Sequence, residues 1–183
     1  MASTDKKYQF KAKLLRPATM GGELPWAFFI LPKDVSAKFP RRGRTTVDGA
    51  LNGHSFRATL EPDGKLSHWL QVNSDLLKAA GADFGDLATL EILPVSQEPE
   101  PVVPPDLQAA LAASAAPRAV WDDASTVARV DWIHWITSAK QAKTRAKRIA
   151  NACDMLASGN RRVCCFDPSG FYSKALSAPK VAV

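Results

Sequence analysis

Tyr8, Phe10, Ala12 and Leu14 alternate with Gln9, Lys11 and Lys13, the period of two that marks a strand with one face buried and one in water. Trp26 to Leu31 is apolar throughout. It predicts a strand buried on both sides and stopped by Pro32, with Trp26, Phe28 and Phe29 in the core. Asp34 to Phe39 predicts a single helical turn. Two further strands, about 45–50 and 54–60, flank Asn52-Gly53, the dipeptide that most readily takes positive φ at both centres of a tight hairpin. Phe56, Ala58 and Leu60 then share one face. After a turn at Pro62-Asp-Gly64, Leu66, His68, Leu70 and Val72 alternate with more polar neighbours. Asn73 or Ser74 caps a short helix presenting Leu76, Leu77 and Ala80, which Gly81 ends, and a last strand over 87–93 is closed by Pro94. Six short strands with little helix predict a closed or half-closed barrel, because closure removes the edges of a small sheet.

The pattern then changes. Residues 95–105 hold four prolines and two glutamates, the composition of an extended connector. Asp106 caps a short helix over 107–113, Pro117 restarts the chain, and Ser125 caps a helix carrying Val127, Val130, Ile133 and Ile136. Ser138-Ala-Lys-Gln141 has the form of a capping box and opens a helix that turns Ala142, Ala146, Ile149, Cys153 and Leu156 inward until Gly159 ends it. The opposite surface carries Lys140, Lys143, Arg145, Lys147 and Arg148. Beyond Arg161-Arg162 come Cys164-Cys165-Phe166, a turn over 167–170, and Phe171-Tyr172. The expected division is a β-barrel domain over 1–94, a Pro-rich linker over 95–105, a helical segment over 106–160 and a tail over 161–183, an α+β class overall.

Charge sharpens this picture. The 183-residue chain has a net charge of +6, but residues 138–162 carry seven basic side chains against one acidic, whereas 93–137 carry two against six. The basic excess sits in one short segment, a candidate contact for a polyanion formed by Lys140, Lys143, Arg145, Lys147, Arg148, Arg161 and Arg162. The bland alternative is a solvated face, or one neutralised by the acidic segment before it. No apolar run of membrane-spanning length occurs, and the start lacks the apolar stretch of a secretion signal. Three cysteines without such a signal suit free thiols in a reducing compartment. These features lead to the expectation of a cytoplasmic protein with no membrane insertion.

An ordered set of phrases carries a family resemblance: Phe10-x-Ala-x-Leu14, Leu31-Pro32-x-Asp-Val35, Val47-Asp-Gly-x-x-Asn52-Gly53, Phe56-Arg57, Gly85-Asp86, Val103-Pro-x-Asp-Leu107, and Ala139-Lys140 with Thr144-Arg145. Over roughly residues 8–160 the chain resembles the bacterial YdeI/OmpD-associated family, in which a domain of unknown function precedes a helical segment. The resemblance implies a double-split β-barrel, the architecture also found in AbrB/MazE-type regulators, and a role in protection against bacteriocin or envelope stress. It implies no reaction, cofactor or catalytic residue.

Other constellations favour structural roles. Arg41-Arg42-Gly43-Arg44 reads as a solubilising loop before a strand, or, by analogy with the related barrels, a DNA contact. Trp121, Trp132 and Trp135 read as packing contacts sooner than as a stacking platform. His54, His68 and His134 lack ligand spacing, and Cys153, Cys164 and Cys165 form no Cys-x-x-Cys unit, so no metal or cofactor is expected. No nucleophile elbow, phosphate loop or dinucleotide fingerprint is present. The leading expectation is a non-catalytic protein that binds an unknown protein partner or small ligand. The alternatives are a nucleic-acid-binding regulator using the basic helix, and an enzyme whose site is assembled from separate strands. A homodimer is compatible with a small barrel that has exposed edges.

Overall fold

A computed structural model of the chain describes residues 6–163 and 177–183. Cys164, Cys165, Phe166, the turn over 167–170, Phe171 and Tyr172 lie outside the described residues. Two compact units are present, Met1–Gln97 with Leu176–Val183, and Glu98–Ala175.

The first unit is a six-stranded antiparallel sheet in the order β1-β6-β3-β4-β5-β2. The strands are β1 (Tyr8–Lys13), β2 (Ala27–Ile30), β3 (Thr45–Leu51), β4 (His54–Pro62), β5 (His68–Val72) and β6 (Leu87–Pro94). The sheet curls strongly: Leu15, just beyond β1, exchanges two backbone hydrogen bonds with Phe28 of β2, at 2.7 and 3.0 Å, so the two ends of the strand order meet. The core inside the curl includes Leu14, Phe29, Val47, Leu51, Leu60, Leu70, Leu90 and Ile92. Gly49 sits where the curl is tight, since a Cβ there would lie 2.4 Å from the Glu91 carbonyl oxygen and 2.9 Å from the Phe56 ring. Asn52 and Gly53 turn with φ of 47° and 86°, as the dipeptide requires.

Helix α1 (Lys33–Ser36) is the expected single turn, and α2 (Ser74–Ala80) is capped by Asn73, whose side chain accepts from the Leu76 amide at 2.9 Å. At the other end of the chain, Ala18 donates to the Lys180 carbonyl and Ala182 to the Arg16 carbonyl, so the last residues pair with the stretch after β1.

Two expectations here need correction. Trp26 is half-buried and Ile30 is 39% exposed, because β2 pairs along its length only with β5. Ala27, Phe29 and Leu31 enter the core, while Phe28 on the other face is sealed by Trp26 and Trp69, with ring centroids 6.3 and 6.1 Å away. Leu66 does not start β5: it has φ +68° and is exposed. The Asp63 carboxylate accepts from the amides of Lys65 and Ser67, winding a turn that places Leu66 at its tip.

The second unit contains α3 (Pro105–Ala112), α4 (Ala115–Asp123), α5 (Thr126–Thr137) and α6 (Ala142–Ala157), packed around Leu107, Leu111, Trp121, Trp132, Ile136, Ile149 and Leu156. Ser125 caps α5, accepting from the Ala128 amide. Gly159, at φ 90°, ends α6 as expected, but the other capping expectations fail. Pro104, not Asp106, precedes α3, and Pro117 lies in the first turn of α4, where its missing N–H costs nothing. Ser138 closes α5, its amide bonding to the His134 carbonyl, and Gln141 precedes α6 without a side-chain cap. Ile149, Cys153 and Leu156 of α6 pack inward as expected, but Ala142 and Ala146 are exposed while Arg148 and Ala152 are buried.

Candidate binding surfaces

The seven basic residues singled out by charge divide into two groups. Three arginines are engaged within the second unit. Arg145 forms a paired hydrogen bond with Asp106, at 2.7 and 3.0 Å, and this holds the Asp106 carboxyl below its ordinary range. Arg161 is ion-paired with Asp123. Arg148 is buried, donating from Nη1 to the Trp135 carbonyl at 2.6 Å and to Ser138 Oγ at 3.0 Å. Lys140, Lys143, Lys147 and Arg162 are exposed and make no ion pair with another described residue. Lys143 and Lys147 stand one turn apart on the outer side of α6.

The remaining sequence candidates are mostly stitched into the fold. Gly43 of the arginine loop offers its carbonyl to His68 Nε2 at 3.2 Å and to the Thr45 hydroxyl, while Arg44 pairs with Glu61 at 3.0 Å. A carbonyl can only accept, so Nε2 of neutral His68 carries the proton and Nδ1 accepts from the Ser36 hydroxyl at 2.7 Å. Burial pushes the His68 pKa down. His134 is buried and His54 is exposed beside the hairpin turn. Trp121 and Trp132 are buried, and Trp132 meets Trp135 edge to face at 6.2 Å and donates to the Arg161 carbonyl. The Cys153 thiol is half-buried, and burial together with Asp154 raises its pKa, away from nucleophilic reactivity. Among the described residues no group of three or more His, Cys, Asp or Glu is placed to hold a metal ion, and no helix is long and apolar enough to cross a membrane.

The sequence reading did not identify the surface around Arg57. In a two-residue hairpin the residues flanking the turn exchange hydrogen bonds, so Leu51 and His54 are such a pair and the even-numbered residues 54–60 of β4 face β3. Bonds from Asn52 to Thr89 and from Val95 to Thr46 carry the other parity of β3 to β6. The amides and carbonyls of Ser55, Arg57 and Thr59 therefore point away from β3. On that side, the ladder to β5 contains only Glu61 opposite Trp69 and Pro62 opposite His68. The next step would place Thr59 opposite Gln71, and there the two strands part.

Two clefts flank this split edge. One, of about 370 Å³, is lined by His54 to Ala58, Gln71, Asn73, Asp75, Leu76 and Ala79. The other, of about 410 Å³, is lined by Lys7, Asp48, Gly49, Ala50, Ser55, Phe56, Arg57 and Leu93. Between them Arg57 holds Asp48 through Nε at 2.6 Å and Nη2 at 2.8 Å, which raises the arginine pKa and lowers that of the aspartate. The cue for this surface was present in the sequence as Val47-Asp-Gly-x-x-Asn52-Gly53 followed by Phe56-Arg57, but only pairing shows which strand edge is left without a neighbour.

Comparison with known families adds two matches. Residues 10–92 match the model described as Domain of unknown function (DUF1905), and residues 100–159 match Bacteriocin-protection, YdeI or OmpD-Associated. No curated protein matches the chain. The chain thus carries a DUF1905 domain followed by a YdeI or OmpD-associated, bacteriocin-protection domain, matching the family that its residues resemble.

Proposed function

We propose that this chain is a non-catalytic binding protein with a protective role, and that the split edge of the first unit is its ligand surface. The observation carrying this reading is the unpaired edge of β4 between two clefts. The chemistry of that surface supports binding over reaction: Arg57 and Asp48 satisfy one another, and the other cleft residues are mainly neutral polar or apolar. The protective role rests on the family's description. The parting of β4 from β5 supports a double-split barrel; the AbrB/MazE likeness, action in the cytoplasm and a homodimer complete the proposed reading.

The test is survival. Bacteria expressing the chain, and bacteria expressing a fold-disrupted variant at equal level, are challenged with a cationic antimicrobial peptide. Better survival with the intact chain is expected, and equal killing rejects the protective role.

A second reading, binding of nucleic acid, is favoured by the four exposed cations without ion pairs to described residues, Lys140, Lys143, Lys147 and Arg162. Phosphate contacts through such side chains give a salt-dependent, sequence-independent affinity.

A further inference from the structure

We infer that the slot between β4 and α2 takes an extended peptide by strand addition, a basic side chain of that peptide lying against Asp75; this deepens the binding role proposed above by naming its partner. Ser55, Arg57 and Thr59 each present a backbone amide and carbonyl away from β3, and β5 has already turned aside. Residues 54, 55, 57 and 59 are exposed, and no ladder covers this side of β4 before Glu61. A row of unpaired strand groups is a template for another strand, and main-chain bonds of that kind supply affinity while side-chain pockets supply selectivity.

The walls of the slot select the occupant. Its far side is α2, which contributes Asn73, Asp75, Leu76 and Ala79 to the lining. A volume of about 370 Å³ suits a single strand of a few residues, at about 3.3 Å of rise each. A second copy of the chain would bring to this edge a β4 backed by its own α2, and the slot has no room for both. Phe56, Ala58, Leu76 and Ala79 form an apolar floor for alternate side chains of the peptide.

Charge narrows the chemistry further. Arg57 is neutralised by Asp48, whereas Asp75 has no ion-pair partner among the described residues. The slot therefore presents one uncompensated negative charge, complementary to lysine or arginine. The predicted ligand alternates small apolar side chains with polar ones and carries a basic residue at the α2 end.

Random heptapeptides displayed on phage are panned against the full chain, and an enriched peptide is made with a fluorescent label for anisotropy titration. Proline at an outward-facing position removes the amide offered to the ligand but no bond to β3, so Ser55→Pro and Thr59→Pro are each expected to weaken binding at least tenfold. Asp75→Lys is expected to weaken it severalfold, with the difference shrinking in high salt. A second measurement does not depend on how the variants fold. N-methylation of alternate peptide amides abolishes binding in the set that faces β4 and leaves it unchanged in the other set.

Failure to enrich any peptide, equal binding by the methylated sets, or self-association of the chain through β4 overturns the inference. Peptide binding without protection of cells rejects the protective role and leaves the slot standing, whereas protection without an enriched peptide does the reverse.

Discussion

Arg148 donates to the carbonyl of Trp135 at 2.6 Å, and its guanidinium carbon lies 5.5 Å from the centre of the same residue's indole ring. One end of α5 is thereby tied to the middle of α6. A side chain that charge patterning places on a phosphate-binding face is an internal strut, its stem packed and its head hydrogen-bonded.

Arg148→Ala is therefore expected to destabilise the protein by about 2–3 kcal/mol, through lost packing and the loss of its charged hydrogen bonds to the Trp135 carbonyl and Ser138 Oγ. Lys147→Ala, one residue away and exposed, is expected to change stability by less than about 0.5 kcal/mol. Urea denaturation of the two variants checks the contrast, and equal midpoints would contradict the strut.

Stability is expected to fall in mild acid because of His68. Burial holds its folded pKa below the ordinary histidine value of 6.5, although the Gly43 carbonyl and Asp63 act in the opposite direction. The unfolded chain takes up the proton first. Stability is therefore complete above about pH 6.5 and declines as pH falls from there toward the lowered folded value. Denaturant midpoints measured across that range, with and without His68→Gln, test this: the variant should have a flatter profile, and an unchanged slope would exclude His68 as the cause.

Gly49→Ala is expected to cost about 1–3 kcal/mol or more, because its Cβ meets the backbone oxygen of Glu91 rather than a flexible side chain. Gly21→Ala has nothing within 4 Å and serves as the control, with a change under about 0.5 kcal/mol. Thermal midpoints of the two variants should separate clearly.

Amide hydrogen exchange along β4 is expected to alternate. The amides of Phe56, Ala58 and Leu60 are held by β3 and should be protected, while those of Ser55, Arg57 and Thr59 should exchange quickly. Uniform protection would mean that the edge is already covered.

The nucleic-acid reading makes its own prediction. In a mobility-shift titration against duplex DNA and single-stranded RNA at two salt concentrations, Lys140→Glu, Lys143→Glu and Lys147→Glu together should abolish binding, and the wild type should weaken steeply with salt. Arg145→Ala should matter much less, since that side chain is paired with Asp106. An absence of wild-type binding at low salt rejects this reading.

Much of the first unit was legible in the chain, because its signals are local. The period of two in 8–14, the Asn52-Gly53 turn, and caps such as Asn73 and Ser125 depend on residues within a few positions of one another. The inward face of α6 is legible at Ile149, Cys153 and Leu156 but not at Arg148, which looks like a surface residue until a carbonyl from α5 comes within reach. Ser138 has the local pattern of a residue that opens a helix, yet its amide and hydroxyl complete the one before.

By itself the sequence determined the number of strands, most of their boundaries and the existence of a separate basic helical part, since burial period and turn chemistry are written residue by residue. Tertiary structure alone decided the strand order β1-β6-β3-β4-β5-β2, the return of the last residues to the stretch after β1, and the point where β5 leaves β4. Those outcomes depend on which distant backbone groups meet, and all backbones carry the same donors and acceptors. No local pattern marks the edge at Ser55, Arg57 and Thr59 as unpaired until every other strand has found its neighbour.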